Sequence, residues 1–229
     1  METLSEIREE FARKLAANDF VYGTIEIVGA TFEANEETIF GALNPNYVRR
    51  ELDWYLSMSR NVNDIGGGIP RIWRQVSSRE GLINSNYGYL LISEENGSQL
   101  ANVIKHLVYD PNTRRATAVY TRPEIHSDWN LDGMSDFICT NAVQYLIRDN
   151  KLDVVVQMRS NDAVFGYRND YAWQKYMQHV IIDALVEADI QVEPGRIIWH
   201  VASLHVYERH WWLVDHYAKT GEFDASLVG

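Results

Sequence analysis

Apolar residues recur at the spacing of strands in some segments of the chain and at the spacing of helices in others. Positions 24–32, TIEIVGATF, are rich in β-branched residues and predict a strand. Positions 44–59 predict a helix, because apolar residues recur there every three or four positions. Asn44 is the expected N-cap of this helix, and Pro45 suits its first position. The amphipathic N-terminus also has helical spacing, and it lacks the apolar centre of a signal peptide.

The rest of the chain mixes predicted helices and strands without a regular β-α alternation. Helices are predicted over 97–110 and 171–189, and strands over 115–122, 137–149, 151–160 and 195–207. Asp149 and Asn150 predict the turn that joins two of these strands. This pattern predicts an α+β fold, in which a large mixed β-sheet is covered by helices. Because the 229 residues are 46% hydrophobic and can form one sizeable core, we predict a single domain over 1–229.

The charge and the cysteine content argue against several classes of protein. A net charge of −11 disfavours a general nucleic-acid binder. No run of about 18 apolar residues is present, so we expect no transmembrane helix and a cytoplasmic protein. Cys139 is the only cysteine, which rules out an intrachain disulfide and argues against a cysteine-based zinc site. The cationic side chains are 16 arginines and only 5 lysines, and arginine offers the planar fork that suits a phosphate.

Two carboxylates occupy unexpected positions. Glu51 follows Val48 by three residues and therefore falls on or beside the apolar stripe of its helix. A carboxylate there is costly unless it is paired or used in chemistry, although a glutamate that reaches solvent from the helix edge would also fit. Asp170 ends the run MRSNDAVFGYRND, which is dense in polar donors and acceptors. Taken alone, Asp170 could also cap the helix that follows it.

Further polar residues are scattered through the predicted elements. They are Tyr87, Arg114, Arg115, Cys139, Arg159, Ser160, Asp162, Asn169, His205 and Tyr207. With the two carboxylates, they suit a site that has a thiol nucleophile, an arginine clamp for a phosphate and several hydrogen-bonding groups. A thiolate needs a positive neighbourhood to lower its pKa, and arginine supplies one. Spacing alone leaves open whether these residues converge, and Cys139 could equally be an inert buried thiol.

Several of these segments resemble the thymidylate synthase family. The matching motifs are RELDWYL, NYGYLL, DPNTRRATAVYTRP, FICTNAVQYL, VQMRSNDAVFGYRNDYAW and WHVASLHVYERH, which follow one another in the family's order. TIEIVGATF, DGMSDFICTN, QYLIRD, FGYRNDYAWQKY and SLHVY are closer to one branch of that family, the deoxycytidylate (dCMP) hydroxymethylases of T-even-type bacteriophages. The resemblance implies a thymidylate synthase-like fold and a homodimer formed through the sheets.

The resemblance also implies a role for each matching residue. Cys139 stands where the family has its nucleophilic cysteine. Arg159 and Ser160 match the pair that holds the nucleotide phosphate. Arg114 and Arg115 match the paired arginines that reach the phosphate of the other subunit, so that the active sites are shared across the dimer interface.

Four further matches concern proton transfer and the folate. Glu51 matches the glutamate that organises water and proton transfer beside the folate, and Tyr87 matches an active-site tyrosine. Asp162 matches the aspartate that meets the pterin. Trp73 lies in the region that lines the folate pocket. The resemblance therefore implies a bound methylenetetrahydrofolate without any metal ion.

The remaining matches concern the nucleotide. His205 and Tyr207 match the pair that bonds the sugar hydroxyl, and Asn169 lies beside the base-recognising position. That position is Asp170, where thymidylate synthases have asparagine. A carboxylate accepts a hydrogen bond from the amino group of cytosine, whereas its acceptors would be unmatched against uracil. Asp170 therefore implies a preference for cytosine.

The phage branch implies a specific reaction. It converts dCMP, 5,10-methylenetetrahydrofolate and water to 5-hydroxymethyl-dCMP and tetrahydrofolate, for modified phage DNA made in the host cytoplasm. Expected partners are a second copy of the chain, the nucleotide, the folate and phage nucleotide-synthesis enzymes, but neither nucleic acid nor a membrane. Three alternatives stay open: a folate-dependent methylase that makes 5-methyl-dCMP or thymidylate, a CMP hydroxymethylase, and a noncatalytic nucleotide-binding or assembly protein.

Several departures from the synthases are visible. Phe137 and Ile138 precede Cys139 where the synthases have a proline, and the N-terminal phosphate-binding arginine loop has no clear counterpart before TIEIVG. Thr140 follows Cys139 where the synthases have histidine. The C-terminal segment GEFDASLVG, at 221–229, does not match the tail that closes over the synthase site. The manner in which the chain excludes solvent is therefore left open by its sequence.

Overall fold

The computed structural model describes residues 1–223, so most of the C-terminal segment considered above lies outside the described residues. The helices are α1 (Leu4–Ala16), α2 (Pro45–Leu56), α3 (Arg71–Val76), α4 (Tyr87–Ile92), α5 (Gln99–Tyr109), α6 (Ile125–Asp128), α7 (Gly166–Glu187) and α8 (Trp211–Thr220). The strands are β1 (Thr24–Glu33), β2 (Thr117–Val119), β3 (Thr140–Arg148), β4 (Lys151–Asp162) and β5 (Glu193–Tyr207). Within the described part of the chain, no helix is both long and apolar enough to cross a membrane.

The five strands form one mixed sheet in the order β1-β5-β4-β3-β2. Strand β1 runs antiparallel to β5, with Ile27 opposite Leu204. Strand β4 runs parallel to β5, with Val156 opposite Trp199. Strand β2 runs antiparallel to β3. The α+β prediction, with a mixed sheet and accompanying helices, is confirmed.

Several predicted boundaries are close to the observed ones, and others move for local reasons. Asp149 and Asn150 have φ values of 52° and 57°, as a two-residue turn between strands requires. Pro45 begins α2 as predicted, but the helix ends at Leu56 rather than at 59. The helix predicted from 171 begins five residues earlier, at Gly166, directly after the turn that follows β4.

The chain forms two compact units. The terminal unit consists of Met1–Asn44 together with the chain from Leu146 onward, and the central unit is Pro45–Tyr145. In the terminal unit, α7 packs on β4 and β5, and α1 packs on β1 and α8. Buried apolar side chains of α7 recur at helical spacing and face this sheet core, including Trp173, Met177, Ile181 and Leu185.

The central unit depends on a close approach between two helices. Gly88, in α4, lies against the backbone of α2. A Cβ atom at Gly88 would be 1.8 Å from the carbonyl oxygen of Tyr55, so a larger residue cannot occupy this position without displacing a helix. This contact places Tyr87, the first residue of α4, beside Tyr55, with their ring centroids 5.2 Å apart.

Candidate active site

The residues singled out from the sequence divide between the two units. Those in the central unit are Glu51, Trp73, Tyr87, Arg114, Arg115 and Cys139, and those in the terminal unit are Arg159, Ser160, Asp162, Asn169, Asp170, His205 and Tyr207. Side chains of each group form hydrogen bonds within their own unit.

Glu51 is buried, with only 5% of its surface exposed, so it does not reach solvent from the helix edge. Its Oε1 atom accepts hydrogen bonds from Trp73 Nε1 at 2.8 Å and from Tyr47 Oη at 2.7 Å. Tyr47 lies one turn earlier on the same helix, and Trp73 is brought to the carboxylate by α3. Two donors on one oxygen compensate part of the cost of burying a carboxylate. The structure therefore holds Glu51 in a fixed orientation.

Tyr87 is also buried and hydrogen-bonded. Its hydroxyl accepts a hydrogen bond of 2.9 Å from Thr140 Oγ1. Thr140 is the first residue of β3 and directly follows Cys139. The threonine that departs from the synthase pattern thus connects the tyrosine to the start of the strand beside the cysteine.

Cys139 is a partly buried thiol directly before β3. Its Sγ lies 3.8 Å from the carbonyl oxygen of Phe137. The segment before it is anchored by Asp136, whose carboxylate accepts from the backbone N–H groups of Asn84 (2.7 Å) and Ser85 (2.8 Å) and from Ser85 Oγ (2.6 Å). Because Asp136 is three residues before Cys139, these bonds restrict the position of the thiol.

Arg114 and Arg115 lie on the exposed connection between α5 and β2. Their backbones are held locally: Arg115 N–H donates to Thr113 Oγ1, and the Arg114 carbonyl accepts from Gln144 Nε2. Within residues 1–223, neither guanidinium forms a salt bridge with a carboxylate. Two adjacent cationic side chains on a fixed backbone are suited to binding an anion.

In the terminal unit, the end of β4 carries three of the predicted residues. Arg159 and Ser160 are adjacent, partly buried residues near the end of the strand. Asp162 ends the strand, and its Oδ1 accepts a hydrogen bond from Val164 N–H at 2.9 Å. That turn leads directly into α7, which explains why this helix begins earlier than the sequence indicated.

Asp170 is the fifth residue of α7, so it is not the cap of that helix. The cap position is Phe165, which makes no side-chain capping bond. The Oδ2 atom of Asp170 instead accepts a hydrogen bond of 2.7 Å from Asn161 Nδ2. Asn161 Oδ1 in turn accepts from Trp199 Nε1 at 3.2 Å. The acid is thus part of a side-chain network that runs from β5 through β4 to α7.

His205 and Tyr207 lie two residues apart on β5, as the strand period requires for residues on one face. Their rings meet edge to face with centroids 4.9 Å apart, and the pair forms one polar patch with two hydrogen-bonding tips. On α7, the side-chain oxygen of Asn169 is buried and has no hydrogen-bond partner within residues 1–223. A buried oxygen of this kind is suited to accept from a ligand donor.

His210 follows this pair and lies near Asp162. Its ring packs edge to face on Phe165, with the centroids 4.8 Å apart. Burial lowers the pKa of His210, although the charge of Asp162 acts in the opposite direction. The neutral imidazole is therefore the favoured form in the fold.

Several residues of these networks, Tyr47, Asn161 and Asp136 among them, were not identified from the sequence. Tyr47 lies four residues before Glu51, a helical spacing that could have revealed the pair. Asn161 stands inside the RSND run but carried no separate signal. Asp136 had none, because Asn84 and Ser85 are 52 and 51 residues away in sequence. In the part of the chain that the structure describes, no group of three or more His, Cys, Asp or Glu side chains could hold a metal ion.

The comparisons with known proteins agree with the motifs. A family model described as thymidylate synthase matches residues 23–224. A deoxycytidylate 5-hydroxymethyltransferase of Enterobacteria phage T4 is 53% identical over 231 residues, covering 98% of this chain and 94% of the relative. The protein of the same name from phage T2 is 53% identical over 227 residues. A thymidylate synthase of Fusobacterium nucleatum is 31% identical over 71% of this chain and 56% of its own length.

The structural comparison supports the same fold. The thermostable thymidylate synthase A from Bacillus subtilis superposes with a TM-score of 0.72 and 22% sequence identity, covering 98% of this chain and 87% of that chain. The family model also spans most of the sequence, including every candidate site residue predicted from the sequence. Since both the sequence motifs and the fold match over nearly the whole length, the chain belongs to the thymidylate synthase family.

Proposed function

We propose that this chain is a deoxycytidylate 5-hydroxymethyltransferase that converts dCMP, 5,10-methylenetetrahydrofolate and water to 5-hydroxymethyl-dCMP and tetrahydrofolate. The observation that carries the proposal is the 53% identity, over nearly the whole chain, to phage proteins of that name. The acid at position 170, held by Asn161, supports the same substrate choice.

Cys139 is the proposed nucleophile. Its thiolate adds to carbon 6 of the pyrimidine, which makes carbon 5 nucleophilic toward the one-carbon unit that methylenetetrahydrofolate supplies. The bonds of Asp136 to Asn84 and Ser85 support this role, because they hold the segment that carries the thiol. A positioned nucleophile needs less reorganisation to reach its target atom.

Glu51 is proposed to position and activate the water that adds to the methylene carbon on the pyrimidine. The carboxylate accepts from Trp73 and Tyr47 on Oε1, and this arrangement fixes the side chain. A fixed carboxylate can take a proton from water while the new carbon–oxygen bond forms. Tyr87, whose hydroxyl accepts a hydrogen bond from Thr140, is proposed as a further catalytic residue.

Asp170 is proposed to select cytosine over uracil. Its carboxylate accepts from the exocyclic amino group at carbon 4 of cytosine. Uracil has a carbonyl oxygen there, and two acceptors that face each other in a buried site cost free energy. The side-chain oxygen of Asn169, which has no hydrogen-bond partner among the described residues, is proposed to accept from a second donor of the nucleotide.

The remaining predicted residues are proposed to bind the phosphate, the sugar and the folate. Arg159 and Ser160 hold the phosphate, and His205 with Tyr207 binds the sugar hydroxyl. Asp162, at the partly buried end of β4, is an acceptor suited to the N–H groups of the pterin. Trp73 offers a nearly buried aromatic ring that Glu51 holds in place, and such rings suit a flat heterocycle. Glu51 and Trp73 would therefore line the folate side of the site.

A homodimer with shared active sites is proposed as the working form, with a single catalytic domain in each chain. The outer face of β1, β4 and β5 exposes Val28, with 78% of its surface accessible, and a shallow concavity beside it is lined by Thr31, Gln157 and His200. The adjacent arginines 114 and 115, which have no carboxylate partner within the described chain, are suited to reach a phosphate in the other copy. The expected place of action is the host bacterial cytoplasm.

A product assay tests the function directly. The purified protein is incubated with methylenetetrahydrofolate and either dCMP or dUMP, and the nucleotide is weighed by mass spectrometry. A gain of one CH₂O unit on dCMP, with release of tetrahydrofolate, is the expected result. A gain of CH₂ with formation of dihydrofolate would instead make the protein a methylase, and absence of any product would contradict an enzymatic role.

A further inference from the structure

We propose that Asn161 is the positioning residue for Asp170 and dictates which atom of residue 170 faces the base. This inference rests on the proposed function, because it concerns the choice between dCMP and dUMP. It assigns a selectivity role to a side chain that need not touch the substrate.

The orientation of the Asn161 amide follows from its two neighbours. The indole nitrogen of Trp199 can only donate a hydrogen bond, so the atom of Asn161 that lies 3.2 Å from it must be the carbonyl oxygen. The amino group of Asn161 is then turned toward Asp170 Oδ2, at 2.7 Å. Trp199 is fully buried and Asn161 is 3% exposed, so water does not compete for these groups. The indole of Trp199 thus fixes the orientation of the Asn161 amide, and the amino group of that amide donates to residue 170.

A glycine at position 166 leaves room for the contact between Asn161 and Asp170. Gly166 is the first residue of α7, and a Cβ atom there would lie 3.1 Å from Asn161 Nδ2 and 3.8 Å from Asp170 Oδ2. A larger residue at 166 would press on the hydrogen bond between the two side chains. The rings around Trp199 also resist rotation, because Tyr167 packs edge to face on it at 5.3 Å. The hydrogen-bonded pair of Asn161 and Asp170 is therefore confined by the start of α7 on one side and by the packed ring of Trp199 on the other.

A donor fixed at Asn161 has a definite consequence for an amide at position 170. In Asp170→Asn, the new side chain must turn its oxygen toward the Asn161 amino group to keep the hydrogen bond. Its own amino group is then turned away from Asn161, toward the base. A donor there matches the carbonyl oxygen at carbon 4 of uracil and opposes the amino group of cytosine.

Exchanging the two residues reverses that orientation. In the double variant Asn161→Asp with Asp170→Asn, the carboxylate at 161 accepts from Trp199 and from the amide at 170. The amide must now turn its amino group toward 161 and its oxygen toward the base, where it accepts from the amino group of cytosine. The double variant has the same atoms and net charge as the natural pair. It also has the same residue at 170 as the single variant, so only the orientation differs.

The experiment compares kcat/KM for dCMP and dUMP, together with equilibrium binding of each nucleotide by calorimetry. We expect Asp170→Asn to lower the ratio of dCMP to dUMP by roughly 10-fold to 100-fold or more, as a mismatched buried donor requires. The double variant should raise that ratio again by about 10-fold relative to the single variant. Equal ratios in the two variants would overturn the proposal.

Two further variants keep the test decisive. Trp199→Phe, added to Asp170→Asn, removes the donor that sets the Asn161 amide while it keeps an aromatic ring; the amide at 170 can then take either orientation, so the ratio should rise relative to Asp170→Asn alone. An unchanged ratio in this folded variant would contradict the proposal even if the Asn161→Asp variant did not fold. Gln178→Met is the matched control, because Gln178 is a buried amide of α7 that donates to the Leu152 and Gly195 carbonyls. It should lower stability and leave the ratio unchanged.

Failure of this inference can be distinguished from failure of the proposed function. If the natural protein makes no 5-hydroxymethyl-dCMP, the function is wrong. If it does so and prefers dCMP, but the single and double variants share one ratio, only the role of Asn161 is wrong.

Discussion

Trp73 Nε1 donates a hydrogen bond of 2.8 Å to Glu51 Oε1, although the two residues are 22 positions apart in the sequence. The bond joins α2 to α3, and it explains how a carboxylate with 5% exposure is tolerated on a helix face that also carries the buried Trp54. The two indoles meet edge to face at 5.1 Å, so Trp73 is itself fixed by packing. A carboxylate held in this way is suited to catalysis, because its orientation costs no free energy during the reaction.

Replacing Glu51 by Gln tests the proposed activation of water. The amide has nearly the same shape but cannot take a proton, so we expect kcat for 5-hydroxymethyl-dCMP to fall by about 100-fold or more. Binding of dCMP should change little. The matched control is Glu95→Gln on the exposed surface of the same unit, which should retain full activity. Full turnover by Glu51→Gln would exclude the glutamate from the chemical step.

Gly88→Ala tests the close approach of α4 to α2. A Cβ atom 1.8 Å from the Tyr55 carbonyl oxygen forces the helices apart, and we expect the free energy of unfolding to fall by about 3 kcal/mol or more. Gly66→Ala is the control, since a Cβ atom at Gly66 meets nothing within 4 Å. Denaturant titration measures both. Equal stability of the two variants would show that the contact between these helices is not closely packed.

Mixing two inactive variants tests whether sites are shared between copies. Cys139→Ser should make no product, and Arg115→Ala should bind dCMP poorly. If Arg115 completes the site of the other copy, a heterodimer of the two variants has one intact site. An equal mixture, after dissociation and reassociation, should then regain about a quarter of the natural activity. No recovery in verified heterodimers would place Arg115 in the site of its own chain, and turnover by Cys139→Ser alone would refute the covalent step.

His210 predicts a specific dependence of stability on pH. Burial lowers its pKa below the ordinary 6.5, so the unfolded chain binds the proton more readily than the folded one does. The contribution of neutral His210 is therefore complete above about pH 6.5 and is lost as the pH falls toward the lowered pKa. His210→Gln should reduce the loss of thermal stability between neutral and mildly acidic pH, whereas His179→Gln on the exposed side of α7 should not. Identical pH profiles for His210→Gln and the natural protein would contradict this assignment.

The sequence by itself determined the periodic elements and most candidate residues. The strand at 24–32, the turn at Asp149 and Asn150, and the start of α2 at Pro45 all follow from local backbone preferences, which act between neighbours in the chain. The motifs around Cys139 and Asp170 also identified the family that the comparisons confirm. These features depend on residue order alone, so no knowledge of packing was needed to find them.

Only the tertiary structure decided what these side chains contact. It showed that Asp170 accepts from Asn161 rather than capping α7, and that Glu51 is buried beneath Trp73 rather than exposed. It also assigned the orientation of the Asn161 amide, because the donor that sets it, Trp199, is 38 residues away on another strand. Hydrogen bonds of this kind form between groups that the folding of the chain brings together. The local pattern of residues therefore does not predict them.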